Sequence, residues 1–242
     1  MKNQYFGDIN DYKKYSLLRL LSGHGQIKTA ICWVLTEDDG RRDGSRIKYL
    51  EKPEQWQDYD RVVFEHLREN VLHKGMRDVS LIERNDILPN CTFYRELVHD
   101  DNKSRDEYFK GFRDFSKGTD LIFFDPDNGI EVKSIPRGKR NSSKYVYWDE
   151  VRASYQAGHS LVIYQHFPRK PRELFLRNLA RKFRDMVGTR KIFSYCTYHV
   201  TFLLIPQPKH EELFIKNHAK ISQAWGDIIK VRPHPAHVTQ TG

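Results

Sequence analysis

Between Asp120 and Gly129 the chain reads Asp-Leu-Ile-Phe-Phe-Asp-Pro-Asp-Asn-Gly, four consecutive apolar residues delivered straight into a polar turn. A half-exposed strand alternates apolar and polar residues, so a short continuous run suits a strand covered on both faces. Such strands belong to parallel sheets sheathed by helices. The turn carries its own constraints: Pro126 fixes φ and removes a donor, while Gly129 admits conformations closed to other residues. Asp125 and Asp127 are thereby set together at one strand end.

The pattern repeats along the chain. Residues 27–35 and 160–164 form further buried apolar runs, the second opening into Gln165-His166-Phe167-Pro168-Arg169. Helical spacing of apolar residues predicts helices over 11–22, 56–73, 106–115, 148–155, 171–186 and 209–224. Short strands are expected at 79–82 and 93–98, and an adjacent pair at 191–197 and 199–206. Helices alternating with buried strands imply an α/β fold, a mostly parallel Rossmann-like sheet with helices on both faces and a C-terminal antiparallel pair. We expect one domain over residues 1–228 and a tail over 229–242 that contains His234 and His237.

In such sheets ligands sit beyond the carboxyl ends of the strands, where Asp38, Asp39, Asp125, Asp127 and His166 would gather. Asp125, held directly by the strand, is the leading reactive candidate. Asp127 could accept from an amine or ligate a hard metal, and Asn128 carries both a donor and an acceptor for a base edge. His166 is an acid/base or positioning candidate and Arg169 a phosphate contact. The loop holding Asp38, Asp39 and Asp43 suits a ribose, an ammonium group or a divalent ion, with Arg41, Arg42 or Arg46 as counter-charges. Each group also has a purely structural reading, as a turn cap or a solvated charge. His66, on an apolar helix face, reads as a core histidine. Basic residues 133–144 form a loop suited to phosphate, expected to be mobile without a ligand.

There are 41 Lys and Arg against 32 Asp and Glu, a net charge of +9. That excess suits a nucleic acid or nucleotide partner. Cys32, Cys91 and Cys196 show no paired spacing, which argues against zinc or a disulfide framework and for a reducing, cytoplasmic setting. No apolar run approaches the roughly 18 residues of a membrane span, so no membrane partner is expected; nothing specifies a protein partner.

Two separated motifs carry a resemblance. Gly7-Asp8-Ile9-Asn10-Asp11-Tyr12-Lys13-Lys14-Tyr15 resembles the amino-terminal Gly-Asn-x-x-Asp-Val-Leu-Lys-His segment of adenine-N6 methyltransferases of ribosomal RNA. Asp125-Pro126-Asp127-Asn128 is similar to their Asp-Pro-Pro-Tyr turn. The second proline is Asp127 here, the aromatic is Asn128, and Tyr15 takes the place of the histidine. The resemblance implies S-adenosylmethionine near the first strand, with Asp11, Lys14, Asp38 and Asp39 as cofactor-binding candidates and Lys14 on its carboxylate. A target amine would then meet Asp125, with Phe167 or Trp148 as a substitute stacking face.

Two other readings stand beside it. Glu131-Val132-Lys133 loosely resembles the carboxylate-x-Lys element of a Mg²⁺-dependent nuclease, which would use Asp125, Asp127, Glu131 and Lys133. A non-enzymatic nucleic-acid or nucleotide-binding module also accounts for the charge.

Overall fold

The computed structural model describes residues 1–40 and 43–235; Arg41, Arg42 and His237 lie outside the described residues. Its strands are β1 (Thr29–Cys32), β2 (Cys91–Tyr94), β3 (Leu121–Phe124), β4 (Gly129–Ile130), β5 (Tyr145–Val146), β6 (Ser160–His166), β7 (Phe193–Cys196), β8 (Val200–Ile205) and β9 (Lys230–Pro233). Seven of them form one sheet in the order β2-β1-β3-β6-β8-β7-β9, and β4 pairs with β5 separately. Strands β2, β1, β3 and β6 run parallel. β8 lies antiparallel between β6 and β7, and β9 closes that edge.

Helices α1 (Ile9–Leu21), α2 (Pro53–Trp56), α3 (Arg61–Arg68), α4 (Asn102–Phe115), α5 (Trp148–Gln156), α6 (Arg172–Val187) and α7 (Glu211–Trp225) complete the order. Successive side chains of a strand point to opposite faces, so each buried strand feeds two cores. Ile31, Leu121, Phe123 and Val162 pack with Tyr15, Phe64 and Trp225 of α1, α3 and α7. Ala30, Ile122, Phe124 and Leu161 pack with Phe112, Val151 and Phe183 of α4, α5 and α6. The result is the three-layer α/β fold expected from the apolar runs.

From β1 the chain turns to one side for β2 and to the other for β3. This reversal opens a crevice at the carboxyl ends of β1 and β3, where α/β sheets bind their ligands. α1 reaches it because Asp8 caps the helix, accepting from the Asn10 amide at 2.9 Å. Gly7 precedes that cap with φ +86°, and a Cβ there would lie 2.5 Å from Val71 Cγ2.

Four sequence expectations need correction. Residues Val79–Glu83 form a 3-10 helix, not a strand: the Asp78 carboxylate accepts from Ser80 N at 2.7 Å, and Val79, Leu81 and Ile82 are all buried, without alternation. The helix expected over 56–73 is divided, with α3 preceded by a 3-10 turn at Gln57–Tyr59 and followed by a π turn at Glu69–His73. Residues 230–233, assigned to a tail, are β9, and His234 Nε2 lies 2.8 Å from Ser194 Oγ. His66 is satisfied as expected, 2.9 Å from the Leu81 carbonyl.

The fourth concerns the basic loop at 133–144, which is tied down rather than loose. Arg105, fully buried, donates to Glu150 through Nε (2.6 Å) and Nη2 (2.8 Å) and to the carbonyls of Ser142 and Tyr145. Asp100 accepts from the Asn141 and Ser143 amides, and Arg137 pairs with Asp106 and Asp149. Removing one partner of a buried pair strands the other charge, so Glu150→Gln is expected to lower unfolding free energy by about 3–5 kcal/mol. Arg105→Met with Glu150→Leu should recover part of that loss; urea denaturation of both proteins measures it.

Candidate functional site

A cavity of about 430 Å³ opens at the β1/β3 crevice. Asn10, Asp11 and Lys14 reach it from α1, Asp125 to Asn128 from the end of β3, and Tyr164 and His166 from the end of β6. Met1, Tyr5, Asp8, Asp43, Gly44 and Arg46 complete the wall.

Lys14 stands at its centre. The ammonium is 2.7 Å from Asp11 Oδ1 and 2.6 Å from Asp125 Oδ2, and the rings of Tyr15, Trp33 and Tyr164 surround it at 5.2 to 5.8 Å. Burial alone would lower its pKa, but Asp11 and Asp125 raise it above the ordinary lysine value. One cation for two buried carboxylates leaves a negative excess. Burial accordingly pushes Asp11 up to about 6, against the pull of Lys14 and with the repulsion of Asp125.

The Met1 amine donates to the carbonyls of Val34 (3.1 Å) and Asp125 (2.9 Å) and lies 2.8 Å from Asp127 Oδ1. The other Asp127 oxygen accepts from Thr36 Oγ1 at 3.2 Å. Burial opposes the charge of Asp127, yet the ammonium beside it holds the carboxyl below its usual value. Val34 has φ +46°, a conformation rare for a β-branched residue, at the point where β1 turns out of the sheet.

The turn itself is braced from β6. Gln165 Oε1 accepts from Ile130 N at 2.8 Å, and its Nε2 donates to the His166 and Asn128 carbonyls. Gly129, with φ +116°, leaves the space that the Gln165 amide fills. The Asn128 side chain, in contrast, makes no hydrogen bond to a described residue and lines the cavity. Asn10 Oδ1 is buried without a partner on the same wall. His166 Nε2 lies 3.2 Å from the Tyr164 hydroxyl, and desolvation followed by the charge of Arg46 keeps this imidazole below its ordinary value.

Eight of the residues singled out in the sequence therefore meet here: Asp11, Lys14, Asp43, Arg46, Asp125, Asp127, Asn128 and His166. Asp38 and Asp39 do not. They are exposed, Asp38 accepting from the Gln4 amide and Asp39 from Lys2, because the loop after β1 folds back on the amino-terminal segment. Asp8, which also holds Arg46 through Nε (3.3 Å) and Nη2 (3.2 Å), and Asp43 bring carboxylates to the wall in their stead. Glu131 and Lys133 lie outside the cavity wall, and no group of three or more His, Cys, Asp or Glu among the described residues is placed to hold a metal ion. Trp148 is buried against Phe183, Phe167 lines a neighbouring groove, and the aromatic residues of this cavity are Tyr5 and Tyr164.

No protein-family model matches the chain, and no curated protein matches it. Among solved structures it is similar to protein LPL1258 from Legionella pneumophila str. Philadelphia 1, of the family DUF519, at 10% identity. That likeness covers 96% of this chain and 98% of the other, with a TM-score of 0.43. No described helix is long and apolar enough to cross a membrane.

Asp11 gives the site a pH signature. Its folded value, about 6, exceeds the ordinary 3.8, so its stabilising contribution is complete below about pH 4 and is lost as pH rises through 6. Between pH 4 and 7 the stability of the native protein relative to Asp11→Asn should fall by up to about 3 kcal/mol. Urea midpoints of the two proteins at both pH values check this; a constant difference would contradict it.

Proposed function

We propose that this chain is an S-adenosylmethionine-dependent methyltransferase, a diverged relative of the ribosomal RNA adenine-N6 enzymes, acting on an exocyclic amine of a nucleic-acid base. One observation carries the reading: the two family-like segments, at Gly7–Tyr15 and Asp125–Asn128, converge on a single cavity through the Lys14–Asp125 contact of 2.6 Å.

The cavity's charge supports a cationic ligand. Five aspartates, Asp8, Asp11, Asp43, Asp125 and Asp127, face Lys14, Arg46 and the Met1 amine, an acidic wall in a chain of net charge +9. A sulfonium and an ammonium group suit it, whereas a nucleotide phosphate does not. The size lies within the range of cofactor sites. When bound there, S-adenosylmethionine would supply an electrophilic methyl group. Asp43 would face its cationic groups and Arg46 its carboxylate, a role Lys14 cannot take while it serves Asp11 and Asp125.

The chain's own residues then have distinct tasks. Asn128 offers a carbonyl to the target amine and an amide to the adjacent ring nitrogen. Asp125 holds Lys14 and thereby fixes α1 against the turn. Tyr164 and Tyr5 supply apolar faces, and burial of the wall excludes water. Transfer of this kind depends on alignment and electrostatic stabilisation more than on proton chemistry.

Calorimetry should show micromolar binding of S-adenosylmethionine, tighter than its demethylated, uncharged-sulfur product. No heat with either would sink the proposal. Asn128→Ala is expected to retain cofactor binding while lowering base methylation by about 10² to 10³-fold, the scale of losing a positioned polar contact.

A further inference from the structure

Beside the cavity lies a second one, a groove of about 440 Å³ between the end of β6, the β7–β8 turn, the start of α6 and the start of β9. Phe167, Arg172, Tyr198, Lys13, Lys230 and Arg232 line it. Both cavities open at the same edge of the sheet. His166 of the first is followed by Phe167 of the second, and Lys13 of the groove precedes Lys14 of the cavity. Lys13 lines the groove and Arg46 the cavity, and burial followed by the charge of Arg46 brings Lys13 down to about 8.

Tyr198 is 73% exposed, the most open of the large apolar side chains among the described residues, yet it is held in place. The Arg172 guanidinium lies 4.8 Å from the Phe167 ring centre and 5.1 Å from that of Tyr198, and its Nη2 donates to the Tyr198 carbonyl at 2.6 Å. His199 packs edge-on against the same ring at 4.7 Å. The loop is fixed to β6 through Phe167 N, which donates to the His199 carbonyl at 3.3 Å. A rigid aromatic face turned to solvent is a stacking platform, not a core residue left over.

Positive charge continues from the start of α6 at this platform along the helix. Residues 169–190, comprising α6 and its flanks, hold eight Lys and Arg against two Asp and Glu, six of the nine net positive charges. Arg169, Lys170, Arg172, Arg177, Arg181, Lys182 and Arg190 are all exposed. Glu173 and Asp227 also line the groove, and Glu173 is paired with Arg232.

We infer that this groove is the track for a single nucleic-acid strand, one base stacked on Tyr198 and Arg172 and its phosphates running toward α6. A duplex hides its base faces and cannot use the platform. Double-stranded nucleic acid and an anionic membrane surface answer to the charge alone, and the aromatic pair favours neither. The inference deepens the methyltransferase reading by naming an unpaired strand as substrate, and rests on it only for what happens to the base.

Fluorescence anisotropy with labelled RNA and DNA single strands of about 12 nucleotides, their duplexes, and anionic vesicles separates these partners. The expected result is salt-sensitive binding of at least one single strand, stronger than of its duplex. Tyr198→Ala and Arg172→Met should each weaken it about tenfold with unchanged thermal midpoints. Because Tyr198 is exposed, its variant should fold. Equal binding of duplex and strand, binding to vesicles alone, no binding, or variants that bind as the native protein does would each overturn the inference. Cofactor calorimetry on the same variants keeps the two ideas apart: strand binding without S-adenosylmethionine binding sinks the enzyme and leaves the track, and the converse sinks the track alone.

Discussion

The buried contact of Lys14 with Asp11 and Asp125 ties together what the chain keeps far apart. A lysine enclosed to this degree is tolerated only when its charge is met, and here two carboxylates and three aromatic rings meet it. Asp125 comes from the end of β3, and Lys14 and Asp11 from consecutive turns of α1. Through them the orientation of α1 becomes a property of the site. Asp8, one turn earlier, then brings Arg46 and the following loop to the same wall. A change in any one of the three central charges is felt at the helix, the turn and the loop together.

The same contact decides how much of the site was legible in the sequence. β3 is found at the bounds expected, Leu121–Phe124, since a continuous apolar run ended by Asp-Pro has no competing reading. The helix expected over 11–22 was legible from its apolar face, but it begins at Ile9 and its cap is Asp8, where the sequence offered Asn10 or Asp11. Strand-end position was enough to assemble Asp125, Asp127, Asn128 and His166. It failed for Asp38 and Asp39, because nothing local says that the loop after β1 turns back to Lys2 and Gln4. Tyr164 reads as one more apolar strand residue, and only the pairing of β3 with β6 turns it toward the turn. Residues 79–82 were misread for the opposite reason: β-branched composition suggested a strand, while Asp78 and tertiary burial wound them into a helix.

No glycine-rich loop follows β1, where the chain reads Trp33-Val34-Leu35-Thr36. Such loops let backbone amides close on a phosphate, and glycine permits the tight approach. Here Val34 takes the left-handed conformation where β1 leaves the sheet, and its carbonyl receives the Met1 amine. That amine, paired also with Asp127, is a cation accepted at the strand exit. The proposed cofactor, with its sulfonium and ammonium groups, would suit such an exit.

The two cavities therefore divide the molecule by charge. The acidic one repels a polyanion, so a nucleic-acid strand could enter it only at one uncharged base, with its phosphates kept outside. The basic face of α6 lies on the side where those phosphates would run, and Lys13 and Arg46 mark the boundary. A base turned out of its strand loses its stacking neighbours, and an ordered ring at the boundary replaces one of them. Under the two proposals together, the arrangement would select for a base presented singly.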